Sequence, residues 1–366
     1  MDIYVFWMVG VFVLSAACGF VFIPVILNFC KAKHLYDMPN ARKVHKNAVP
    51  RLGGIAFMPS MFISFAVALA AINSTHKLIS INIWSFYFLI GILLVYVTGI
   101  VDDVLGLSAR VKFAVQMVAA CLLPLANLYL NDFYGFMGIH SVPYAVGLPL
   151  TVLAIVFIDN AVNLIDGIDG LAASLSIVAF AGFAYIFAVQ GIWSYAILIS
   201  GIIGVLLAFL YFNLFGDVSR NRKIFMGDAG SLTLGFILGV LCVKYSMNND
   251  SVILLRRFDF IVPFTLLVVP VFDAVRVSVV RISHGVSPFK ADKRHIHHKL
   301  MRAGLSQHGA LACIVSLAVA YIALNLALLQ VVANTFVFFI DVLVYVVFNL
   351  ILNRFVRLRE AACGRC

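Results

Sequence analysis

Long apolar runs separated by short polar segments dominate the chain. Eleven of these runs approach the roughly 20 residues that an α-helix needs to cross a bilayer, whereas a membrane β-barrel would show short segments of alternating polarity. The pattern therefore predicts an all-α polytopic membrane protein with eleven transmembrane helices. The predicted spans are residues 3–29, 54–72, 83–101, 113–130, 147–162, 170–190, 195–213, 231–245, 259–280, 309–330 and 336–352.

The composition excludes a soluble globular protein. Of 366 residues, 63% are hydrophobic and 11% are charged, whereas charged residues make up about 25% of a typical soluble domain. We expect a single transmembrane catalytic domain, residues 1–353, followed by a cytoplasmic basic tail, residues 354–366. The first apolar run is long and lacks a basic start, so it should remain as the first helix. The scattered cysteines indicate no disulfide framework.

Lys and Arg residues are concentrated in alternate loops. Of the 26, only Lys77, Lys244, Arg256 and Arg257 fall in the opposite set of loops. Because cytoplasmic loops carry the excess of positive charge, the amino terminus is expected outside and the carboxyl terminus in the cytoplasm. The net charge of +10 is then mainly a topology signal, and we expect no nucleic-acid partner.

Most aspartates border the basic loops, so they should lie at the cytoplasmic face. Charged residues at membrane depth cost roughly 3 kcal/mol on insertion scales, which makes such a cluster a candidate site. A transporter, the competing class, would instead place ionisable groups near the midplane between internal repeats, and neither feature is visible. The aspartates concerned are Asp37, Asp102, Asp103, Asp159, Asp166, Asp169, Asp217, Asp228, Asp273 and Asp292.

Adjacent carboxylates, Asp102 and Asp103, end the third predicted helix in the segment TGIVDDVLGLSARVKFAVQ. They should point about 100° apart and so take different roles, one holding a cation and the other facing a nucleophile. A solvated helix end is the alternative, but the helix dipole disfavours negative charge at a C-terminus. A functional role is therefore favoured.

Two further acidic segments contain glycines. In DNAVNLIDGIDGLAAS, a helical conformation would put Asn163, Asp166 and Asp169 on one face, although a polar turn is also possible. In RNRKIFMGDAGSLTLG, Asp228 lies between glycines and Ser231 is a plausible N-cap. A helix start of this kind suits an anion, with Asp228 suited to a bridging cation.

Three histidines lie within four positions in DKRHIHHKL. His295, His297 and His298 could in principle bind a metal, but the neighbouring Arg and Lys residues would oppose a dication and favour a phosphate. A solvated loop is the alternative. Similarly, the basic loop YDMPNARKVHKNAVPRLGG could serve only membrane topology, and Asp273 could simply pair with Arg276.

Four motifs in this order, DDVLGLSARVKFAVQ, NLIDGIDGLA, IFMGDAGSL and RHIHHKLMRAG, resemble the polyprenyl-phosphate N-acetylhexosamine-1-phosphate transferase superfamily. The nearest likeness is to bacterial undecaprenyl-phosphate N-acetylglucosaminyl-1-phosphate transferases, which have eleven helices. The resemblance implies a multi-pass protein of the bacterial inner membrane that transfers a sugar 1-phosphate, most plausibly from UDP-GlcNAc, to undecaprenyl phosphate with release of UMP. This reaction starts O-antigen, enterobacterial common antigen or teichoic acid assembly.

The resemblance also implies roles for individual residues. Asp102, Asp103 and Asp228 are expected to be catalytic, with Asp103 and Asp228 binding Mg²⁺, for which Mn²⁺ could substitute. Lys112 and Lys43 are expected to bind the lipid phosphate. Another UDP-sugar, such as a GalNAc, deoxy-HexNAc or MurNAc-pentapeptide donor, remains an alternative, and a homodimer is usual for similar proteins.

Further implied residues concern the nucleotide sugar. Phe225 should stack on uracil, and the other expected nucleotide-binding residues are Asn163, Asp166, Asp169 and Asn213. The residues expected to hold the sugar diphosphate are Arg294, His295, His297 and His298. Phosphoryl transfer needs positioning and charge neutralisation more than covalent chemistry. We therefore expect direct displacement, with a covalent aspartyl intermediate as the rival.

Overall fold

The computed structural model describes residues 2–37, 48–75, 83–218, 220, 222–248, 261–287 and 292–363. Helices dominate this part of the chain, as the apolar runs predict. In chain order they are α1 (Asp2–Ala32), α2 (Phe57–Thr75), α3 (Ile83–Leu105), α4 (Ala109–Leu125), α5 (Tyr144–Ile165), α6 (Leu171–Val189), α7 (Trp193–Leu214), α8 (Gly227–Ser246), α9 (Ile261–Leu266), α10 (Val268–Ser283), α11 (Ile296–Arg302), α12 (Gln307–Leu328) and α13 (Asn334–Cys363).

An all-α polytopic membrane architecture is confirmed. Within the described ranges, nine helices are long and apolar enough to cross a membrane. The two other predicted spans fall on α4, which has 17 residues, and on the pair α9 and α10, which is interrupted at Leu267. Each predicted span therefore coincides with helical structure.

Several helix boundaries differ from the predicted ones. Helix α4 begins at Ala109 because the Ser108 hydroxyl accepts a hydrogen bond from the Val111 N–H at 3.4 Å, and it ends before Asn127, whose φ is 61°. Helix α8 begins at Gly227 and not at residue 231. Helix α13 continues to Cys363, so that residues 354–363 of the predicted tail extend the last helix.

Helix α8 lies at the centre of the bundle, where nearly all its residues are buried. Glycines allow its neighbours to approach closely. A Cβ on Gly235 would clash with the backbone of Asp159 in α5, and one on Gly99 of α3 would clash with the backbone of Ala229. These contacts bring the C-terminal ends of α3 and α5 to the N-terminus of α8.

Two short hairpins complete the described fold. Strands β3 (Asp132–Phe136) and β4 (Ile139–Ser141) are antiparallel, and β1 (Tyr36–Asp37) pairs with β2 (Val49–Pro50). The chain after β2 docks beside α8, because Phe225 N–H donates to the Pro50 carbonyl at 2.7 Å and Gly53 N–H donates to the Phe225 carbonyl at 2.9 Å. This contact fixes the segment that leads into α8.

Candidate active site

Two aspartates share one lysine where α3, α4 and α8 meet. The Lys112 ammonium lies 3.1 Å from Asp102 Oδ2 and 2.6 Å from Asp228 Oδ2. A tight turn at Gly106, with φ of 73°, joins α3 to α4, and Asp102 Oδ1 accepts from the Leu107 N–H at 2.6 Å. Glycine adopts this backbone conformation without strain. The turn thereby places Lys112 beside Asp102.

The neighbouring carboxylate, Asp103, points elsewhere. Its two oxygens accept hydrogen bonds from the N–H groups of Asp228 and Ala229, each at 2.9 Å. Asp103 therefore caps the N-terminus of α8, where negative charge is favourable. The two carboxylates point in different directions, as predicted, while their predicted chemical roles stay predictions. Its assignment as a magnesium ligand stays a prediction, and the geometry favours Asp102 instead.

Ser231 is not the N-cap that the sequence predicts. Because α8 begins at Gly227, Ser231 lies inside its first turns and donates to the Gly227 carbonyl at 3.1 Å. The Asn163 amide donates to Ser231 Oγ at 2.8 Å and to Asp228 Oδ1 at 3.3 Å. Asn163 and Ser231 therefore flank the Asp228 carboxylate.

The acidic loop after α5 is not helical. Helix α5 ends at Ile165, and Gly170, with φ of 73°, precedes α6. Of the two conformations considered for this segment, the structure therefore has the turn and not the single helical face. Asp169 instead forms an ion pair with Lys223 at 2.6 Å. The predicted residues still reach one cavity, as described below.

Asn213 holds this loop in place. Its Oδ1 accepts from Gly170 N–H at 2.6 Å, and its Nδ2 donates to the Ile224 carbonyl at 2.8 Å. The predicted nucleotide-binding role of Asn213 stays a prediction, while the structure gives it a positioning role. Burial, together with the carboxylates of Asp228 and Asp169, raises the pKa of Asp166 to about 7.

His297 lies directly behind the acidic loop. Its side chain is 1% exposed, and a Cβ on Gly167 would clash with its ring. Burial, then the charges of His298 and His295, lowers the pKa of His297 to about 3. Burial, His295 and Lys293 lower the pKa of His298 to about 4. Both imidazoles are therefore neutral near pH 7.

Two members of the predicted diphosphate group face away from this region. His295 Nδ1 lies 2.8 Å from Asp273 Oδ2, and Asp273 also pairs with Arg276 at 2.6 Å. Arg294 pairs with Asp292 at 3.4 Å. The structure brings His297 and His298, but neither Arg294 nor His295, to the acidic loop.

One cavity of about 400 Å³ joins these elements. This volume lies within the roughly 300–1,000 Å³ of small-molecule sites. Asp102 and Lys112 lie at its edge through their contacts with Asp228. The lining residues are Asp37, Arg51, Asp103, Asn163, Asp166, Gly167, Ile168, Asp169, Asn213, Phe225, Met226, Gly227, Asp228, Ser231, His298 and Gln307.

Arg51 and Asp37 are site residues that the motif analysis did not single out. Arg51 donates to the Asp103 backbone carbonyl and lies 3.9 Å from Asp37. Both belong to the segment YDMPNARKVHKNAVPRLGG, whose positive charge is also explained by membrane topology. The basic character of this segment was the sequence signal that could have indicated a site role. Lys43, the second predicted lipid-phosphate residue, lies outside the described residues.

The donor set beside the cavity suits a hard cation. In the described parts of the chain, no group of three His, Cys, Asp or Glu side chains is arranged to hold a metal ion. Mg²⁺, however, usually takes one or two carboxylates and completes its shell with water and substrate phosphate. Asp102 and Asp228 both contact the Lys112 ammonium, so their carboxylates are close enough to share one cation. Two carboxylates in this arrangement fit the ligand preference of Mg²⁺.

Comparisons with known proteins show the family to which the chain belongs. Residues 85–246 match the family model Glycosyl transferase family 4. A Bacillus subtilis (strain 168) protein named "Probable undecaprenyl-phosphate N-acetylglucosaminyl 1-phosphate transferase" is 32% identical over 303 residues, covering 81% of this chain and 77% of the relative. An Escherichia coli O157:H7 protein, undecaprenyl-phosphate alpha-N-acetylglucosaminyl 1-phosphate transferase, is 32% identical over 291 residues, covering 79% and 75%. The chain therefore belongs to glycosyl transferase family 4, together with these undecaprenyl-phosphate transferases.

Proposed function

We propose that the protein transfers N-acetylhexosamine 1-phosphate, with GlcNAc as the favoured sugar, from a UDP-sugar to undecaprenyl phosphate. The observation that carries the proposal is the Asp102–Lys112–Asp228 arrangement at the edge of the cavity. The names of the two relatives support the lipid acceptor and the sugar. The proposal includes an active site facing the cytoplasm of the bacterial inner membrane, supported by the distribution of Lys and Arg. It also includes a homodimer, and the support for this part is that similar proteins are usually dimers.

The cavity is proposed as the UDP-sugar site. Phe225 lines it and would stack on the uracil ring, as aromatic side chains do with bases. His298 also lines it and, with His297 close behind Gly167, would donate hydrogen bonds to the diphosphate. Because both histidines are neutral without a ligand, each offers one N–H donor and one acceptor.

Asp102 and Asp228 are proposed to hold Mg²⁺, with Asp103 fixing Asp228 by capping α8. The ion, when bound, would neutralise charge on the diphosphate. Lys112 would bind the phosphate of the acceptor lipid, because its ammonium is adjacent to both carboxylates. A phosphate monoester has a second pKa near 6, so Asp102 needs only to orient the nucleophile.

The proposed step is a direct displacement. An oxygen of the lipid phosphate forms a bond to the β-phosphorus of the UDP-sugar, and the bond from that phosphorus to the bridging oxygen breaks. UMP leaves with the electron pair, and the products are undecaprenyl diphosphate-sugar and UMP. A covalent aspartyl intermediate would instead catalyse exchange of labelled UMP into UDP-sugar without lipid, so detection of that exchange would refute direct displacement.

Purified protein with undecaprenyl phosphate, radiolabelled UDP-GlcNAc and Mg²⁺ tests the proposal. Label should enter the lipid phase and UMP should appear in equal amount. Asp228→Asn should abolish both signals, whereas Asp217→Asn, which changes an exposed aspartate away from the cavity, should retain them. Absence of labelled lipid with several UDP-sugars, or equal activity of the Asp228→Asn variant, would refute the proposal.

A further inference from the structure

A second, larger cleft lies between α10 and α13. Its volume is about 830 Å³, twice that of the cavity beside Asp228. Both walls end in exposed apolar side chains, Val275 and Val279 on α10 and Val346 and Leu350 on α13. In a membrane-spanning bundle such side chains face the hydrocarbon of the bilayer, so the cleft opens towards lipid tails.

One end of this cleft is strongly basic. Five cationic side chains line it, and none of its described lining residues is a carboxylate; the five are Arg276, Lys293, Arg294, Lys299 and Arg302. Lys293 and Arg302 are exposed, and the described residues provide neither with an ion-pair partner. Arg276 and Arg294 pair with Asp273 and Asp292, which do not line the cleft. Apolar walls beneath the remaining three cations are complementary to an amphiphile with an anionic headgroup.

Lys299 responds to this crowding of positive charge. Burial, together with Arg276 and Arg302, lowers the pKa of Lys299 to about 8. Among the described residues, the partner of its ammonium is neutral: Lys299 Nζ donates to Asn349 Oδ1 at 2.8 Å. An anion at this end of the cleft would offset the repulsion among these cations.

The basic end is built from the same short segment as the histidines. Residues 292–302 present His298 to the catalytic cavity and Lys293, Lys299 and Arg302 to the cleft. A buried hydrogen-bond chain reinforces this link, because Tyr345 of the cleft wall donates to Asp273 Oδ1 at 3.3 Å and Asp273 Oδ2 contacts His295 at 2.8 Å. An occupant of the cleft would therefore restrain the histidine segment.

We propose that the cleft between α10 and α13 binds an anionic phospholipid of the bilayer, and that this lipid holds the histidine segment in its catalytic position. The phosphate lies against Lys293, Lys299 and Arg302, and the acyl chains lie between the valines of α10 and α13. The acceptor lipid is a different molecule, because its phosphate has to reach Lys112, which does not line this cleft. The catalytic consequence rests on the proposed transferase function.

Native mass spectrometry of the full chain released from nanodiscs tests the binding. The wild type should retain phosphatidylglycerol in preference to phosphatidylcholine. Lys293→Gln/Arg302→Gln should weaken this retention by about 30-fold, because each basic residue near the headgroup contributes roughly fivefold. The matched control Lys31→Gln/Lys33→Gln, at the end of α1, should retain the lipid as the wild type does.

A second variant tests the apolar part of the site. Val279→Trp fills the cleft from an exposed position, so it should reduce phosphatidylglycerol retention without altering the basic end. Equal retention of the two phospholipids by the wild type, or unchanged retention by both cleft variants, would overturn the proposal. Displacement of phosphatidylglycerol by one equivalent of undecaprenyl phosphate, or by inorganic phosphate alone, would also overturn it.

The catalytic consequence has a separate readout. The KM for UDP-GlcNAc should be several-fold higher in phosphatidylcholine nanodiscs than in nanodiscs with phosphatidylglycerol, and Lys293→Gln/Arg302→Gln should remove this difference. An identical KM in both lipids would overturn the restraint of the histidine segment. Lipid retention requires no turnover, so a protein that retains phosphatidylglycerol but transfers no sugar would refute the proposed function alone.

Discussion

Replacing Asp103 with asparagine separates a capping role from a metal-binding role. The carboxylate accepts two hydrogen bonds from the start of α8, at Asp228 and Ala229, whereas an asparagine offers one acceptor and one amide donor. Ala229 is fully buried, so its N–H would lose its partner. Leaving a buried donor without a hydrogen-bond partner costs about 1–3 kcal/mol.

We therefore expect Asp103→Asn to lower the free energy of unfolding by about 1–3 kcal/mol. The thermal midpoint, followed by tryptophan fluorescence in detergent, should fall by several degrees. The concentration of Mg²⁺ that gives half-maximal transfer should stay close to the wild-type value in the folded fraction, because this carboxylate is occupied by backbone amides.

Asp102→Asn is the matched control, since it makes the same chemical change one residue earlier. An asparagine there can still accept from the Leu107 N–H, and Lys112 keeps its 2.6 Å contact with Asp228. Its thermal midpoint should therefore change little while its Mg²⁺ requirement rises. A wild-type midpoint for Asp103→Asn together with a raised Mg²⁺ requirement would refute the capping interpretation and restore Asp103 as a metal ligand.

Three further substitutions test the cavity. Gly167→Ala should displace the His297 ring and raise the KM for UDP-GlcNAc, whereas Gly10→Ala, where a Cβ meets only ordinary contacts, should not. Phe225→Ala should raise that KM by roughly 5- to 150-fold, the range for loss of base stacking, and Phe215→Ala, at an exposed position, should leave it unchanged. Because the pKa of His297 is lowered to about 3 in the folded protein, protons bind the unfolded chain first as pH falls below about 6.5. The contribution of His297 to stability should therefore fall by about 2 kcal/mol between pH 7 and pH 5. The wild type should lose more stability over this range than His297→Gln by about that amount, and an equal pH dependence of the thermal midpoint in the two proteins would contradict the assignment.

Apolar run length was sufficient to predict nearly the whole fold. Every predicted span coincides with helical structure. A helix that crosses a bilayer needs a long apolar run regardless of its tertiary contacts, so the run can be recognised from the sequence alone. The start of α8 was missed because its cap, Asp103, comes from α3. A pattern read along the chain identifies local caps such as Ser108, but it contains no information about which distant side chain reaches a helix end.

The candidate site was predictable only in part, because membrane topology indicates which loops lie at the same membrane face but not how their side chains are arranged. That argument correctly grouped Asp102, Asp228 and the acidic loop. It could not assign directions within DKRHIHHKL, where His298 faces the cavity while Arg294 faces the second cleft. The directions of these two side chains depend on how α11 packs against α13. The spacing of four residues between Arg294 and His298 does not determine that packing. Arg51 was missed because its basic loop already had an explanation as a topology signal.

The balance of charge at the site explains why a substrate diphosphate would need an added cation there. Asp102 and Asp228 share a single ammonium, and Lys223 is already committed to Asp169. Burial, together with the neighbouring carboxylates, raises the pKa of the nearby Asp166 to about 7. The cluster thus has more negative than positive groups before any substrate enters, and a diphosphate beside it would be repelled. A dication bound by Asp102 and Asp228, as proposed, would reverse that balance and would leave Lys112 free for the phosphate of the acceptor lipid.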